Sequence, residues 1–399
     1  MLLSNSKKQS VIYATNICNK YLRWIENNTL ESYDWYDIWG TNLGGFGKKL
    51  FLKNKFLGTL IVGPILLIDI FFPRFRKFFV NNRSFPISHA HTGLGLLNLY
   101  KITNDIEYLN KAKELINPLL DMSSPLIKDL GWGMKHKWMT ISGIIPQDTP
   151  CNTQTYYPYE FFSEMNKILN TNKYDKYLIQ ISRHVANDFY EWKNGDMLAC
   201  SYSSIDKRKV VNANSYRALM LIHSGKRFNN KEHYNKGIAT LKYVVHMQNS
   251  DGSWPYAEDQ SFIDTYHTCF VLKNLFKAKN ILENEQIGIN NAIEKGLNYF
   301  LNNLFDKHGL PIPYSVKPRF ILHKYDSYDF AESIGLLAEL DIENDRISKI
   351  LEFVKDNFQT KEGWFIFKKY PLINNKGIPY LRYANSAMFL ALTKVIIKG

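Results

Sequence analysis

Apolar residues recur along most of the chain at the three- and four-residue spacing of amphipathic helices, and few runs alternate in the way that strands do. One unit repeats along the chain. A polar or aromatic cluster opens an apolar helix rich in small residues, a turn follows, and a second amphipathic helix ends in a loop with Gly, Trp or Pro. The openings begin at Ser88, Asn152, Val211, Phe262, Lys324 and Leu381.

This repeat predicts an all-α fold, an α/α-toroid (barrel) of about six helical hairpins with few strands. A hairpin cannot bury both of its faces alone, whereas a closed ring with one helix of each pair inside can. The inner helices then point the same way, so their first residues meet at one mouth, where a pocket is expected. We expect residues 85–399 to form the toroid, and residues 1–84 to add a helix, a loop and an apolar segment that pack on it.

The most apolar run covers residues 56–72 and has basic residues on both sides. It is shorter than the ~20 residues of a membrane-spanning helix, and it contains Pro64 and Asp69. The first interpretation is a buried helix. The second is docking on a membrane surface, so peripheral membrane contact through residues 56–77 stays open.

Composition narrows the classes of partner. The chain of 399 residues has 25 Tyr, 25 Phe and 8 Trp, which suits a wet groove as well as a core. The net charge of +13 is compatible with nucleic acid, anionic lipid or an acidic glycan. No tight Lys/Arg run and no nucleic-acid-binding motif occurs, so we expect no nucleic-acid partner.

The four cysteines are far apart, which is typical of a reduced, intracellular protein. The first residues lack the pattern of a secretion signal. We therefore expect a cytoplasmic protein, with the inner face of the membrane as the alternative. No phosphate-binding glycine loop or dinucleotide fingerprint is present, and we expect no cofactor.

The stretch EDQSFIDTYHT, residues 258–268, places carboxylates, Tyr and His at the opening of one inner helix. Acid–base chemistry on a sugar needs such groups, and we take Asp264, Tyr266 and His267 as candidate catalytic residues. Asp326, at the opening of the next inner helix, is the second candidate carboxylate. The simpler interpretation is that Asp264 and Asp326 only cap helices and that His267 is a core residue.

Other polar and aromatic residues near helix openings or helix ends are candidates for binding a glycan. Tyr and Trp rings stack on sugars, Asn and His hydrogen-bond to hydroxyls, and Arg pairs with an acidic sugar or a diphosphate. The pair His89 and His91 could start a metal site, but no third ligand can be assigned, and we expect no metal. The candidates are His89, His91, Trp132, Tyr156, Asn212, Asn214, Trp254, Glu258, Asp259, His323, Tyr328, Arg382 and Tyr383.

Six segments carry a resemblance to a known family. They are residues 33–44 (YDWYDIWGTNLG), 131–165, 199–221, 251–275, 296–334 and 378–392 (IPYLRYANSAMFLAL). Together they resemble a family of microbial surface-polysaccharide biosynthesis proteins, over nearly the whole chain. The resemblance implies an α/α-toroid related to six-hairpin glycosidases and to terpene cyclase and prenyltransferase toroids. It implies no settled reaction.

One repeat of terpene cyclases is also present, with Gln248, Gly252 and Trp254 in the Gln-x3-Gly-x-Trp positions. In those enzymes it ties a helix end to the next turn. The acid motif of the protonating cyclases and the aspartate-rich diphosphate motif are both absent, so cyclase chemistry is not expected.

These observations predict a protein that acts on, or binds, a glycan or lipid-linked oligosaccharide in surface-polysaccharide synthesis. Hydrolysis, epimerisation and elimination all stay open. One alternative is a toroid that binds a prenyl chain. Another is a non-catalytic scaffold of a membrane-associated synthesis complex.

Overall fold

In a computed structural model, the chain is described over residues 5–140, 143–282, 287–371 and 377–399. Helices dominate, and the strands are two to four residues long. The helices are α1 Asn5–Ile25, α2 Asn42–Lys53, α3 Lys55–Phe71, α4 Pro86–Thr103, α5 Ile106–Glu114, α6 Ile116–Asp121, α7 Asn152–Leu169, α8 Asp175–Asn187, α9 Val211–Arg227, α10 Lys231–His246, α11 Thr265–Ile281, α12 Ile289–Asn303, α13 Ser327–Leu340, α14 Asn344–Phe353 and α15 Ser386–Ile397.

Six of these helices form a closed inner ring. In order around the ring, α4, α7, α9, α11, α13 and α15 each contact the next, and α15 packs on α4 to close it. Their apolar and small residues are buried nearly all round, as expected of helices covered on every side. The all-α toroid of about six hairpins with few strands is confirmed.

The outer layer consists of amphipathic helices with one buried face. Helices α5, α8, α10, α12 and α14 each pack on the inner helix that precedes them. The place beside α15 is taken by α1, which contacts both α14 and α15. The N-terminal helix is therefore the outer partner of the sixth hairpin, while a domain boundary at residue 84 stays a prediction.

Two glutamines tie neighbouring outer helices together in the same way. Gln248 follows α10 and donates from Nε2 to the carbonyls of Gly252 and of Ala292 in α12, both at 2.9 Å. Gln359 follows α14 and donates to the carbonyls of Gly363 at 3.1 Å and of Ile17 in α1 at 2.8 Å. The identical pattern shows that α1 is placed as a regular member of the outer layer.

In the part of the chain that the structure describes, five two-stranded antiparallel ribbons connect the helices. Two of their strands run directly into inner helices, α11 and α13, and so fix how those helices begin. The strands are β1 Glu31–Ser32, β2 Arg83–Ser84, β3 Trp138–Thr140, β4 Gly143–Ile145, β5 Glu191–Asn194, β6 Met197–Cys200, β7 Ile263–Asp264, β8 Tyr314–Val316, β9 Tyr325–Asp326 and β10 Lys368–Lys369, paired β1–β2, β3–β4, β5–β6, β7–β8 and β9–β10.

Helices α2 and α3 pack against each other as a hairpin beside the mouth of the ring. The interpretation of residues 56–72 as a buried helix is wrong, because Phe56 is 75% exposed and most other apolar side chains of α3 reach the surface. Within the described ranges, none of the helices has both the length and the apolar character that a membrane crossing requires.

Candidate functional site

A cavity of about 590 Å³ lies where the inner helices begin. This volume is typical of pockets that hold small ligands. All six inner helices, or the turns directly before them, contribute to its lining. These contributions are Ile87 from α4, Thr153, Gln154 and Tyr157 from α7, Asn212 and Tyr216 from α9, Tyr266, His267 and Phe270 from α11, Tyr328 from α13, and Arg382 and Tyr383 from the turn before α15.

Tyrosines form much of the cavity wall. The rings of Tyr266 and Tyr328 lie 5.2 Å apart, those of Tyr328 and Tyr383 lie 5.3 Å apart, and Tyr36 continues the row at 5.7 Å from Tyr383. Burial raises the pKa of Tyr266 and of Tyr328 well above the ordinary value for a phenol. Both therefore keep their protons near neutral pH and present hydroxyl donors beside flat apolar faces, a combination that suits a sugar ring.

Asp264 and His267 form a pair at the start of α11. Asp264 is the N-cap: one carboxylate oxygen accepts from the backbone N–H of His267 at 2.9 Å. The other oxygen lies 2.6 Å from Nδ1 of the same histidine. The Asp264 side chain is fully buried, whereas His267 lines the cavity. The contact assigns the proton of the neutral ring to Nδ1 and leaves Nε2 as the nitrogen available to a ligand.

The same arrangement of residues recurs at the start of α13 without a histidine. Asp326 caps that helix through the N–H of Tyr328 at 2.9 Å, and Asp329 stands where α11 has His267. Burial raises the pKa of Asp326 to about 6, although Lys368, 3.6 Å away, opposes the rise. Burial, with Asp326 and Asp264 nearby, also raises the pKa of Asp329 well above its usual range. Neither carboxylate lines the cavity, so Asp326 lies behind its wall.

A second histidine of the cavity, His136, has no carboxylate contact of this kind. Burial lowers its pKa to about 4, and the cations Arg382, Arg83 and Lys48 add to this, while Asp34 opposes it. His136 is therefore a neutral imidazole near neutral pH. It lies in the loop before β3, and nothing in the local sequence pattern distinguishes it from other loop residues.

Arg382 lines the cavity and forms an ion pair with the buried Asp34. Its guanidinium donates to the buried carboxylate of Asp34 and to the hydroxyl of Tyr383, and it lies 4.0 Å from the centre of the Tyr383 ring. Burial favours a raised pKa for Asp34, but Arg382 and His136 outweigh that effect and lower it. The ion pair holds a planar cation against the cavity, where it can donate to a developing oxyanion.

Of the other predicted binding residues, Asn212 and Asp259 line the cavity, and Asp259 lies 3.3 Å from Arg208. Glu258 instead pairs with Lys209 at 2.9 Å and accepts from the hydroxyl of Tyr243. Neither Glu258 nor its partners line the cavity.

Two predicted residues line a different space. His91 and Tyr156 border a second cavity of about 20 Å³ inside the ring. Its lining includes Lys277, which pairs with Glu160. Burial lowers the pKa of His91 well below its ordinary value, so this imidazole is neutral.

The remaining predicted residues lie outside the lining of the main cavity. Nδ1 of His89 lies 3.2 Å from the carbonyl oxygen of Phe85. The side-chain amide of Asn214 accepts from the backbone N–H of Cys200 and donates to its carbonyl. Burial lowers the pKa of His323 to about 2, with help from Lys368 and Arg319. Both predicted tryptophans are core residues that donate to backbone carbonyls: Trp132 to Leu119 and Trp254 to Val244.

The N-terminal segment supplies wall residues that sequence analysis did not select. Tyr36 comes from the loop before α2, and Lys48 and Leu52 come from α2 itself. Burial lowers the pKa of Lys48 to about 8, and the nearby Arg319 lowers it further. These contributions depend on how the segment folds across the mouth, which no local pattern reveals.

Across the described residues, no group of three or more His, Cys, Asp or Glu side chains is arranged to hold a metal ion.

No protein-family model and no curated protein sequence matches the chain. Solved structures do match. The cellobiose 2-epimerase from Bacillus thermoamylovorans B4167 has a TM-score of 0.60 at 9% identity, covering 79% of this chain and 87% of its own. A sugar epimerase from a ruminal bacterium has a TM-score of 0.59 at 11% identity, with coverage of 79% and 87%. A polysaccharide lyase has a TM-score of 0.56 at 10% identity, with coverage of 79% and 90%.

These neighbours are carbohydrate-active enzymes with toroid folds. The likeness confirms the α/α-toroid. At such low sequence identities it establishes the fold alone.

Proposed function

We propose that the protein is a carbohydrate-active enzyme that moves protons on a bound glycan, by epimerisation or elimination. One observation carries the proposal: the cavity holds two imidazoles with different surroundings. His267 is oriented by the buried carboxylate of Asp264, while His136 is kept neutral by burial and by nearby cations. Acid and base roles are assigned where the environments of two titratable groups differ in this way.

In the proposed reaction, neutral His136 takes a proton from the carbon beside a sugar carbonyl or carboxylate. The charge that develops on the oxygen is stabilised by the cavity's tyrosine hydroxyls and by Arg382. The imidazolium form of His267 carries a proton on Nε2, while its Nδ1–H donates to the Asp264 carboxylate. Delivery of that proton to the opposite face of the carbon completes an epimerisation. Delivery to the leaving oxygen completes an elimination.

Hydrolysis is less well supported. The usual glycosidase mechanism needs two carboxyl groups on either side of the scissile bond. Among the described residues of the lining, Asp259 is the only carboxylate, and it is paired with Arg208. Asp264 and Asp326 are both buried, the first beneath His267 and the second behind the wall.

The polar lining also favours a sugar over a prenyl chain. A prenyl toroid needs a deep, purely apolar and aromatic cavity, whereas this one has His136, His267, Asn212, Gln154 and Arg382 on its wall. A place in surface-polysaccharide synthesis is supported by the family resemblance. A lipid-linked substrate and action in the cytoplasm, at the inner face of the membrane, are part of the same proposal.

The test is NMR of the host's own surface polysaccharide or lipid-linked oligosaccharide, incubated in heavy water with the wild type, Asp264→Asn and His136→Gln. Deuterium on a ring carbon beside a carboxylate or carbonyl indicates epimerisation, and a new double bond indicates elimination. Both variants should lower the rate on the order of 10²–10⁴-fold. Asn still caps a helix, so thermal stability of Asp264→Asn should change little.

Asp105→Asn is the matched control, because Asp105 is also a helix N-cap, accepting from the N–H of Glu107 in the outer helix α5, and does not line the cavity. Its rate should equal that of the wild type. New reducing ends formed at full rate by Asp264→Asn and His136→Gln would contradict the proposed proton transfer and favour hydrolysis elsewhere on the wall.

A further inference from the structure

Exposed apolar side chains are concentrated on one part of the surface. Among the described residues, 25 large apolar side chains are exposed, and 13 of them lie between residues 43 and 79. Single exposed apolar residues are ordinary, but a contiguous patch of this kind marks a binding surface. We call it the N-terminal apolar face: Leu43, Phe46, Leu52, Phe56, Leu57, Leu60, Leu67, Ile68, Phe71, Phe72, Phe75, Phe78 and Phe79.

The exposed charges on this face all have one sign. Between residues 42 and 80 the sequence has a single acidic residue, Asp69, which is buried and paired with Arg76 at 2.6 Å. The charged side chains that do reach solvent are basic, and they lie among the exposed aromatics. They are Lys49, Lys53, Lys55, Arg74 and Lys77.

Buried ion pairs and hydrogen bonds join this face to the rest of the protein. Arg76 is fully buried beneath it and donates to the carboxylates of Asp69 and Asp37 and to the backbone carbonyl of Asp34. Its guanidinium also lies 5.5 Å from the centre of the Tyr380 ring, in the segment before α15. The segment is thus joined to the rest of the protein through Arg76, while the apolar side chains of the face are exposed to solvent.

We infer that the N-terminal apolar face docks the protein on an anionic lipid bilayer. Apolar side chains that enter the acyl boundary, ringed by cations that meet anionic headgroups, are the features of a helix lying in the membrane interface. Helix α3 has 17 residues and a proline at position 64, which fits lying on the bilayer and not crossing it.

Docking places the mouth of the cavity at the bilayer. Helix α2 contributes Lys48 and Leu52 to the cavity lining and Leu43 and Phe46 to the apolar face. A helix of 12 residues is about 18 Å long, so the cavity rim lies within that distance of the lipid. Phe320, which is 84% exposed, directly follows the lining residue Arg319. A glycan on a lipid anchor can then enter the cavity from the bilayer surface.

The first experiment is flotation of the full chain with vesicles of phosphatidylcholine alone and of equal parts phosphatidylcholine and phosphatidylglycerol. The wild type should float with the anionic vesicles and much less with the neutral ones. A variant with Phe56→Ser, Leu60→Ser, Phe72→Ser and Phe78→Ser, called the serine variant, should lose binding on the order of a hundredfold. The control carries Ser in place of Ile12, Ile106, Leu126 and Ile179, which are exposed elsewhere, and should float like the wild type.

The second experiment changes charge only. Lys49→Gln, Lys53→Gln, Lys55→Gln and Lys77→Gln together should lower the partition coefficient for anionic vesicles at least about tenfold and leave the weak binding to neutral vesicles unchanged. Circular dichroism of each variant checks that the fold is kept. A wild type that stays unbound with both vesicles, or a serine variant that floats like the control, overturns the inference.

Light scattering tests the alternative that a second copy of the chain covers the apolar face. If the wild type forms a concentration-dependent dimer that the serine variant does not form, and the serine substitutions leave flotation unaffected, membrane docking is overturned in favour of that alternative. Docking does not rest on the proposed chemistry, because flotation needs no substrate. Conversely, the serine variant should process a delipidated glycan at the wild-type rate, so failure of docking and failure of the proposed proton transfer are separate results.

Discussion

One carboxylate at the opening of α11 serves two purposes. Asp264 caps the helix with one oxygen and orients His267 with the other. The two interpretations that the sequence leaves open, a helix cap and a member of the site, are therefore both compatible with the structure. The related opening of α13 has Asp326 as cap and Asp329 in the histidine's place, and there the carboxylates are buried with raised pKa values.

The pH dependence of stability should report on His136. Its pKa in the folded protein is about 4 against an ordinary 6.5, so the unfolded chain binds this proton first as the pH falls. As the pH falls from about 6.5 to about 4, the free energy of unfolding therefore decreases. The full decrease from His136 is roughly 3 kcal/mol.

Urea unfolding at about pH 7 and about pH 4.5 checks this prediction for the wild type and His136→Gln. The free energy of unfolding should fall less with acid in the variant, because glutamine does not titrate. Equal acid sensitivity of the two proteins would show that His136 is protonated normally in the folded state.

At the scale of elements, outer helices are joined by turns that only glycine can make. Gly252 has φ 92°, and a β-carbon there would lie 2.3 Å from the carbonyl oxygen of Lys295 in α12. Gly363 has φ 114° and meets the carbonyl oxygen of Lys20 in α1 at the same distance. The Gln-x3-Gly-x-Trp positions thus bring two backbones together, which is a structural role.

Gly252→Ala should lower the free energy of unfolding by at least about 2 kcal/mol more than Gly309→Ala does. Gly309 also has a positive φ, 76°, but a β-carbon there meets nothing within 4 Å, so its cost is backbone strain alone. Urea unfolding of both variants measures the difference. Equal costs would mean that α10 and α12 move apart freely to accept the new methyl group.

At the scale of the whole molecule, the ring depends on its first helix. Tyr21 of α1 is fully buried and its ring lies 5.6 Å from that of Phe365 and 5.4 Å from that of Phe389 in α15. The chain's N-terminal part therefore completes the layer that its C-terminal helices leave open.

Tyr21→Ala should cost about 3–5 kcal/mol, by analogy with other large aromatic truncations in cores. Because α1 belongs to the outer layer, far-UV circular dichroism and tryptophan fluorescence should shift together. Tyr190→Ala, at a 47% exposed site, should cost under about 0.5 kcal/mol. Early loss of helix with an unchanged fluorescence midpoint would show that α1 unfolds independently.

The sequence by itself determined the class of fold and where its helices begin. The 3.6-residue periodicity and the repeated openings depend on local spacing, and each hairpin buries its faces in the same way, so the toroid follows from the repeat. The same pattern predicts that six candidate residues lie at helix openings around one mouth, and the structure has them there: Asp264, Tyr266, His267, Tyr328, Arg382 and Tyr383.

Only the tertiary structure decided which of those residues face the cavity. Trp132 and Trp254 lie in loops near helix ends, yet they are buried because neighbouring helices cover them. His136, Tyr36 and Lys48 reach the cavity because a loop and an N-terminal helix cross the mouth, contacts between residues far apart in sequence. Periodicity predicts which face of a helix is buried. Long-range packing decides what that face contacts, and thereby the solvation and the pKa of its titratable side chains.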